Sequence, residues 1–295
     1  MHAQESPYSH SNAPQSGLRA RPLLGTLVSI RIDVCDGFIE QAFRAGFDAV
    51  SAVHTAMSFH EQGSELGRLN REAYRRPQSV GPDTWRVLCA SLALARASSG
   101  HFDPTIAGRL VRDGFLPGCT DYVFAPDASW RDIVLGANRT VYFRKPLLLD
   151  FGGIAKGDAV DRAVRALRAA GVRSAMVNAG GDLRVFGNQE HLIQVRDPGA
   201  PSRSRPLLAL REGAVATSAS YFSKRAQRTP LVDPLSEAAL GQNVSVSVCA
   251  PRAIWADALT KIVLADELIA VDMLRRLHAS AVVLAADGSY KQFGA

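Results

Sequence analysis

The amino-acid sequence predicts an α+β fold, mixed helices with mainly antiparallel sheets, on three observations. Apolar periodicities of strand and helix type alternate irregularly along the 295 residues, without the regular strand-helix-strand succession of a doubly wound sheet. Short strand-like runs come in pairs around turn residues, as at Gly136-Ala137-Asn138 and Ala286-Asp287-Gly288. A hydrophobic content of 47% is enough for a full core, and the length suits one large domain or two intimate subdomains.

Residues 1–17 are polar and are expected to form a disordered tail, leaving residues 18–295 as the domain. Leu23 to Ile32 alternates as an opening strand with one wet face. Phe38, Ala42, Ala45, Ala49, Val53 and Ala56 are spaced for a helix ending near Ser58. Ser64-Glu65-Leu66, with Leu69 and Asn70, reads as a capped helix start or a polar turn. Trp85 to Ser98 is a further helix, started by Gly81-Pro82-Asp83 and closed by Ser99-Gly100. Pro104 restricts Asp103 to extended geometry in the loop His101-Phe102-Asp103. Residues 111–129 read as loop, and Trp130 to Val134 with Thr140 to Phe143 as a hairpin.

At the centre stands Lys145 to Gly187. The apolar run Leu147 to Leu149 ends on Asp150 and passes into Gly152, Gly153, Lys156 and Gly157. A helical pattern follows to Gly171, then a strand-like run, the pair Gly180-Gly181, Asp182 and another strand-like run. A strand feeding glycines into a helix N-terminus makes an anion site, because the backbone can approach closely and the first N–H groups favour negative charge. The stretch is neither GxGxxG nor GxxxxGK[ST], so the dinucleotide fingerprint and the Walker loop are both excluded.

Beyond it, His191 to Val195 reads as a strand, Asp197 to Arg205 as a loop, and Leu207 to Leu210 and Gly213 to Thr217 as short strands. Val244 to Cys249 alternates Val with Ser as a half-buried strand. Helices opened by Trp255-Ala256-Asp257 and by Leu268 precede a closing hairpin of Ser280 to Ala285 and Ser289 to Phe293.

A net charge of +6 and scattered arginines, without a long basic run, favour an anionic small ligand over nucleic acid. No run of about eighteen apolar residues predicts a membrane span. Four cysteines far apart form no metal-ligand spacing and read as free thiols. The N-terminal residues carry no signal-peptide pattern, so the chain is expected in the cytoplasm, or in the periplasm if translation starts elsewhere.

The chemistry-bearing candidates are the carboxylates Asp103, Asp150, Asp182, Asp233 and Asp257, with Lys156, Ser218 and Tyr221. No nucleophile elbow or histidine cluster accompanies them. Oxygen-rich sites of this kind suit a phosphate-bearing ligand with Mg²⁺.

Together these pieces resemble the FAD:protein FMN transferases of the ApbE type. The matching segments are Leu24-Gly25-Thr26, Ser64-Glu65-Leu66 with Leu69-Asn70, Gly100 to Thr105, Asp150 to Asp161, Asn178 to Gly187, Ala216 to Tyr221 and Ala256-Asp257-Ala258-Leu259. The resemblance implies an ApbE-like, T-fold-like architecture. It also implies a Mg²⁺-dependent transferase that moves the FMN half of FAD onto a threonine of an acceptor flavoprotein, releasing AMP. On the same basis Leu24, His60, His101, Phe102, Asp103, Asp150, Lys156 and Leu231 fall where the family touches FAD. The Gly153 carbonyl and Asp257 fall on metal ligands, and Asp257, Lys261 and Asp150 are the expected catalytic groups. Hydrolysis of FAD to FMN and AMP, or flavin binding without catalysis, would use the same residues.

Four positions depart from the family. Leu24 stands for a usual Met and His60 for a frequent Tyr. Pro230-Leu231-Val232-Asp233-Pro234 lacks the usual His, and Lys261 replaces the Thr that commonly ligates the metal one helical turn after the Asp. An ammonium cannot ligate Mg²⁺. Lys261 either supplies positive charge near the phosphates or pairs with Asp257 or solvent.

Overall fold

The computed structural model describes residues 15–118, 120–219, 229–241 and 243–294. It begins with a hairpin of β1 (Gln15–Leu23) and β2 (Thr26–Cys35), so the first strand starts inside the segment expected as a tail. The strands turn at Leu24 and Gly25, both in the left-handed region that a tight hairpin turn needs. Next come α1 (Ile39–Met57), α2 (Glu65–Glu72), β3 (Gln78–Ser79), α3 (Pro82–Ala97) and α4 (Ala107–Arg112). Ser64 caps α2 by accepting the Gly67 N–H at 2.9 Å. The short α4 was not anticipated, because its six residues are too few to display a helical period.

β4 (Ile133–Leu135) and β5 (Thr140–Phe143) pair as predicted, with β3 on the other side of β5. Trp130–Asp132 is a 3₁₀ turn closed by a Ser129/Asp132 capping box, where a strand had been expected. Leu147 to Leu149 makes only a single bridge, Leu148 to Ile106, so it is a buried extended run and not a sheet strand.

The chain continues through α5 (Ala155–Ala169), β6 (Val172–Ala179), β7 (Asp182–Phe186), β8 (His191–Asp197), β9 (Ala200–Leu210), β10 (Gly213–Ala219) and β11 (Val244–Ala250). It ends with α6 (Ala253–Ala265), α7 (Glu267–Arg276), β12 (Ser280–Ala285) and β13 (Tyr290–Phe293). Eight strands form one antiparallel sheet in the order β1-β2-β6-β7-β10-β11-β12-β13. The fold is α+β.

Helix α1 packs on α5 and α5 on α6, and α5 and α6 pack against the central strands. Their apolar faces and the inward residues of β2 and β6, such as Val28, Ile30, Ala175 and Val177, make one main core. On the other face, the β8–β9 hairpin covers Leu183, Val185 and Val215. Residues 200–205 are therefore strand, not the loop expected, since they pair with β8.

Coverage of both faces also explains β11. Its Val/Ser alternation suggested one wet face, but Ser245 and Ser247 are buried, and Ser247 bonds Thr217 at 2.8 Å. Cys35, Cys89 and Cys249 are free thiols. No helix among the described residues is long and apolar enough to cross a membrane.

Candidate active site

The site is built where Leu147 to Leu149 leads into α5. The buried Asn70 side chain donates to the Leu149 carbonyl at 3.0 Å and accepts the Leu149 N–H at 2.8 Å, satisfying an extended run that has no sheet neighbour there. The Asp150 N–H then donates to the Pro104 carbonyl at 2.8 Å. The next turn folds tightly over the Asp150 carboxylate. A Cβ at position 152 would lie 2.8 Å from its Oδ2, so any larger residue there would have to displace the carboxylate. Burial raises the Asp150 pKa above the ordinary Asp value, although the Gly152 N–H and nearby His60, Lys156 and Lys261 charges oppose it.

Below the turn lies a chain of charges. Lys156, in the first turn of α5, donates to Asp182 and reaches Asp257 Oδ2 at 3.4 Å. The Gly157 N–H donates to the same Oδ2 at 3.2 Å, while Lys261 donates to Asp257 Oδ1 and to the Asp257 carbonyl at 2.9 Å. Asp257 is 0% exposed. Burial would raise its pKa, but the Lys156 and Lys261 charges outweigh this and hold the carboxyl below the ordinary range. Burial alone would lower the Lys156 pKa; Asp182 and Asp257 overcome it and hold the ammonium above its usual value. Asp182 is raised, by burial and then by the neighbouring Asp257 charge.

This wedge depends on how α6 docks. Asp257 lies one turn inside α6, not at its start, and α6 is anchored by Asp161 of α5. That buried carboxylate accepts the Ala253 and Ile254 N–H groups at 3.0 and 3.1 Å and pairs with Arg184 at 2.7 Å. A Cβ on Gly157 would come within 2.2 Å of the Ala253 carbonyl. Gly157 thus serves helix–helix contact, whereas an anion loop had been expected of all three glycines. Gly180-Gly181 is likewise the turn between β6 and β7, which swings Asp182 under Lys156.

Two clefts meet above the wedge. One, of about 250 Å³, is lined by His101, Phe102, Asp103, Leu231, Gly153 and Lys261. The other, of about 360 Å³, is lined by Leu24, Met57, Phe59, His60, Phe151 and Lys156. Asp150, Gly152 and Leu116 line both, so they form the saddle between the two lobes. Every residue expected to touch FAD lies on one lobe or the other. Asp257 lines neither.

Asp103 accepts the Thr105 N–H and hydroxyl at 2.8 and 2.7 Å, a local turn, and burial raises its pKa. Asp233 is bonded to His101 Nδ1 at 3.0 Å, which ties the segment that lacks the family His to an imidazole from another loop. Ser218 bonds Thr260, whose hydroxyl in turn donates to the Asp257 carbonyl, both at 2.7 Å. Tyr221 lies outside the described residues.

The residues present do not fit Mg²⁺ between Gly153 and Asp257. A Cβ on Gly153 would lie 3.5 Å from Lys261 Cε, so the lysine stem runs beside the Gly153 turn, and its ammonium takes up Asp257. Like charges about 4 Å apart near a protein surface repel by roughly 4 kcal/mol per unit charge, and a divalent ion doubles this. Among the described residues no group of three or more His, Cys, Asp or Glu could hold a metal. Of the two residues expected as metal ligands, Asp257 is engaged in an internal ion pair with Lys156 and Lys261. Of the two alternatives for Lys261, pairing with Asp257 is observed, and it occurs on the wall of the cleft.

Asn70, Asp161 and Leu116 were not singled out as site residues. Asn70 and Asp161 act through partners far away in sequence, and Leu116 sits in a loop with no pattern of its own.

A model of the ApbE family matches residues 24–284. The FAD:protein FMN transferase of Treponema pallidum is 28% identical over 280 residues, covering 82% of this chain and 76% of the relative. That of Rhodobacter capsulatus is 32% identical over 203 residues, covering 61% of this chain, which spans 38% of that relative's length. Among solved structures, the ApbE protein of Thermotoga maritima superposes with a TM-score of 0.83 at 23% identity, over 95% of this chain and 97% of the other. The flavin transferase ApbE of Vibrio cholerae gives 0.80 at 21% identity, again over 95% and 97%. With the family match running through nearly all the described fold, the chain belongs to the ApbE family.

Proposed function

We propose that this chain is an FAD:protein FMN transferase, with FAD as donor, a flavoprotein as acceptor and a threonine hydroxyl as the accepting group. The observation that carries the reading is the pair of apolar lobes joined at the Asp150–Gly152 saddle with an ammonium on each side, Lys156 and Lys261. FAD has the matching form: two flat ring systems joined by a diphosphate. The names of the relatives in Treponema and Rhodobacter support the same reaction.

In this reading the hydroxyl oxygen attacks the phosphorus that carries riboflavin. A new P–O bond forms, the bond from that phosphorus to the bridging oxygen breaks, and the bridging oxygen leaves with AMP. The hydroxyl proton passes to the Asp150 carboxylate and then to solvent. Asp150 suits this role because it lines both lobes at the saddle and its raised pKa makes it a stronger base than an ordinary Asp. The ammonium groups stabilise the charge that grows on the departing AMP. Asp257, expected as a catalytic group, is instead assigned to positioning, because it is buried under the saddle and engaged by both lysines. Mg²⁺ belongs to the family expectation.

The test is incubation with FAD, with and without acceptor, scored for AMP and for flavin that stays on protein after denaturation. AMP matched by protein-bound flavin is expected. AMP formed equally well without acceptor would instead indicate a hydrolase.

A further inference from the structure

Lys261 and Lys156 stand in mirrored relation to Asp257. Lys261 follows it by one helical turn and grips Oδ1 and the backbone carbonyl; Lys156 comes from α5 and reaches Oδ2. One buried carboxylate thus holds both ammonium groups, and Asp182 holds Lys156 from a third element. Each side chain is partly exposed, 19% for Lys261 and 30% for Lys156, and each lines a different lobe beside the saddle. An ammonium has three donors. Among the described residues each lysine gives two of them to protein acceptors, leaving one N–H for an oxygen in its lobe.

The arrangement is pre-organised. Gly153 has no side chain, and a Cβ there would already touch Phe102 and the Lys261 stem, each at 3.5 Å. The stem is therefore confined between α6 and the glycine turn, and holding the ammonium costs little rotamer entropy on binding. The carboxylate that would have to receive a divalent ion has both oxygens taken.

We propose that Lys156 and Lys261 form a metal-free clamp for the diphosphate of the dinucleotide, with the Lys261 ammonium standing where a divalent cation would otherwise sit. The dinucleotide's identity as FAD rests on the function proposed above; the clamp itself requires only a diphosphate crossing the saddle. Two fixed ammonium groups, one on each phosphate, supply charge-assisted hydrogen bonds without the octahedral shell that Mg²⁺ demands.

The experiment is titration calorimetry of the full chain with FAD and, separately, with ADP, in EDTA and in millimolar Mg²⁺. For the unaltered protein the dissociation constants in the two buffers should agree within about twofold. Lys261→Met should weaken both ligands by about tenfold or more in either buffer. Lys261→Thr, which frees an Asp257 oxygen and adds a hydroxyl, should bind FAD more tightly with Mg²⁺ than without. Circular dichroism of each variant checks that it is folded, and the comparison of buffers on the unaltered protein needs no variant.

Binding abolished by EDTA and restored by Mg²⁺ in the unaltered protein would overturn the clamp while leaving the transferase reading intact. Equal affinity of Lys261→Met and the unaltered protein would also overturn it. Failure of FAD to bind in either buffer removes both readings. Metal-independent binding of FAD and ADP without transfer to any protein supports the clamp and counts against the transferase.

Discussion

Asp150 sits on a backbone tied from two directions, by the Asn70 bonds to Leu149 just before it and by its own N–H on Pro104. Asp150→Asn keeps the shape and removes the base, so FMN transfer should fall about 10²- to 10⁴-fold while FAD affinity changes little. Calorimetry paired with a transfer assay checks this split. The pH sign follows from the raised pKa of Asp150. The carboxylate must be deprotonated to accept the hydroxyl proton, so the acid limb of kcat/KM should lie above the ordinary Asp value of 3.8, with activity lost as pH falls through it. Asn70→Leu should cost about 1–3 kcal/mol, read as a shift in urea midpoint, because it strands a buried N–H and C=O. Asp150, Lys156 and the His101 to Asp103 segment were legible in the sequence because glycines and proline mark their turns. Asn70 was not legible in this role, since its partner is 79 positions away.

At the scale of elements, the site depends on α5 and α6 crossing closely. Gly157→Ala would drive a methyl into the Ala253 carbonyl, which no flexible side chain can relieve. We expect a loss of at least about 1–3 kcal/mol in denaturant unfolding, and weaker FAD binding as Asp257 moves away from Lys156. Asp161→Ala uncaps α6 and leaves Arg184 without its buried carboxylate, so about 3–5 kcal/mol should be lost. The Asp257 wedge gives stability its own pH sign. Its depressed pKa means the contribution is present above the unfolded Asp value and lost as pH falls through the lower folded value. Stability measured against pH should therefore decline in strong acid, and this component should be absent in Asp257→Asn. Both α5 and α6 were readable from apolar period. Their crossing was not, because it is set by one missing Cβ and one cap between residues about 90 positions apart.

For the molecule as a whole, the antiparallel sheet and its α+β class followed from paired runs with turn residues between them. The covered second face did not, because Ser245 and Ser247 look polar in sequence yet are buried on the face opposite the main core, and β9 reads as a Pro- and Ser-rich loop until β8 pairs with it. The two-lobed form of the site was also invisible, since its walls come from the β1–β2 turn, α1, α5, α6 and the loops around 101 and 231. That form is what suits the site to a dinucleotide donor. The most direct test uses an extract of the source cells lacking this chain, supplied with FAD and the purified protein. Proteins are separated under denaturing conditions, viewed by flavin fluorescence, and the fluorescent band is digested for peptide mass spectrometry. The account predicts a new fluorescent band whose peptide carries one FMN on a threonine, with AMP released in equal amount. AMP released with no flavin retained on any protein would contradict it.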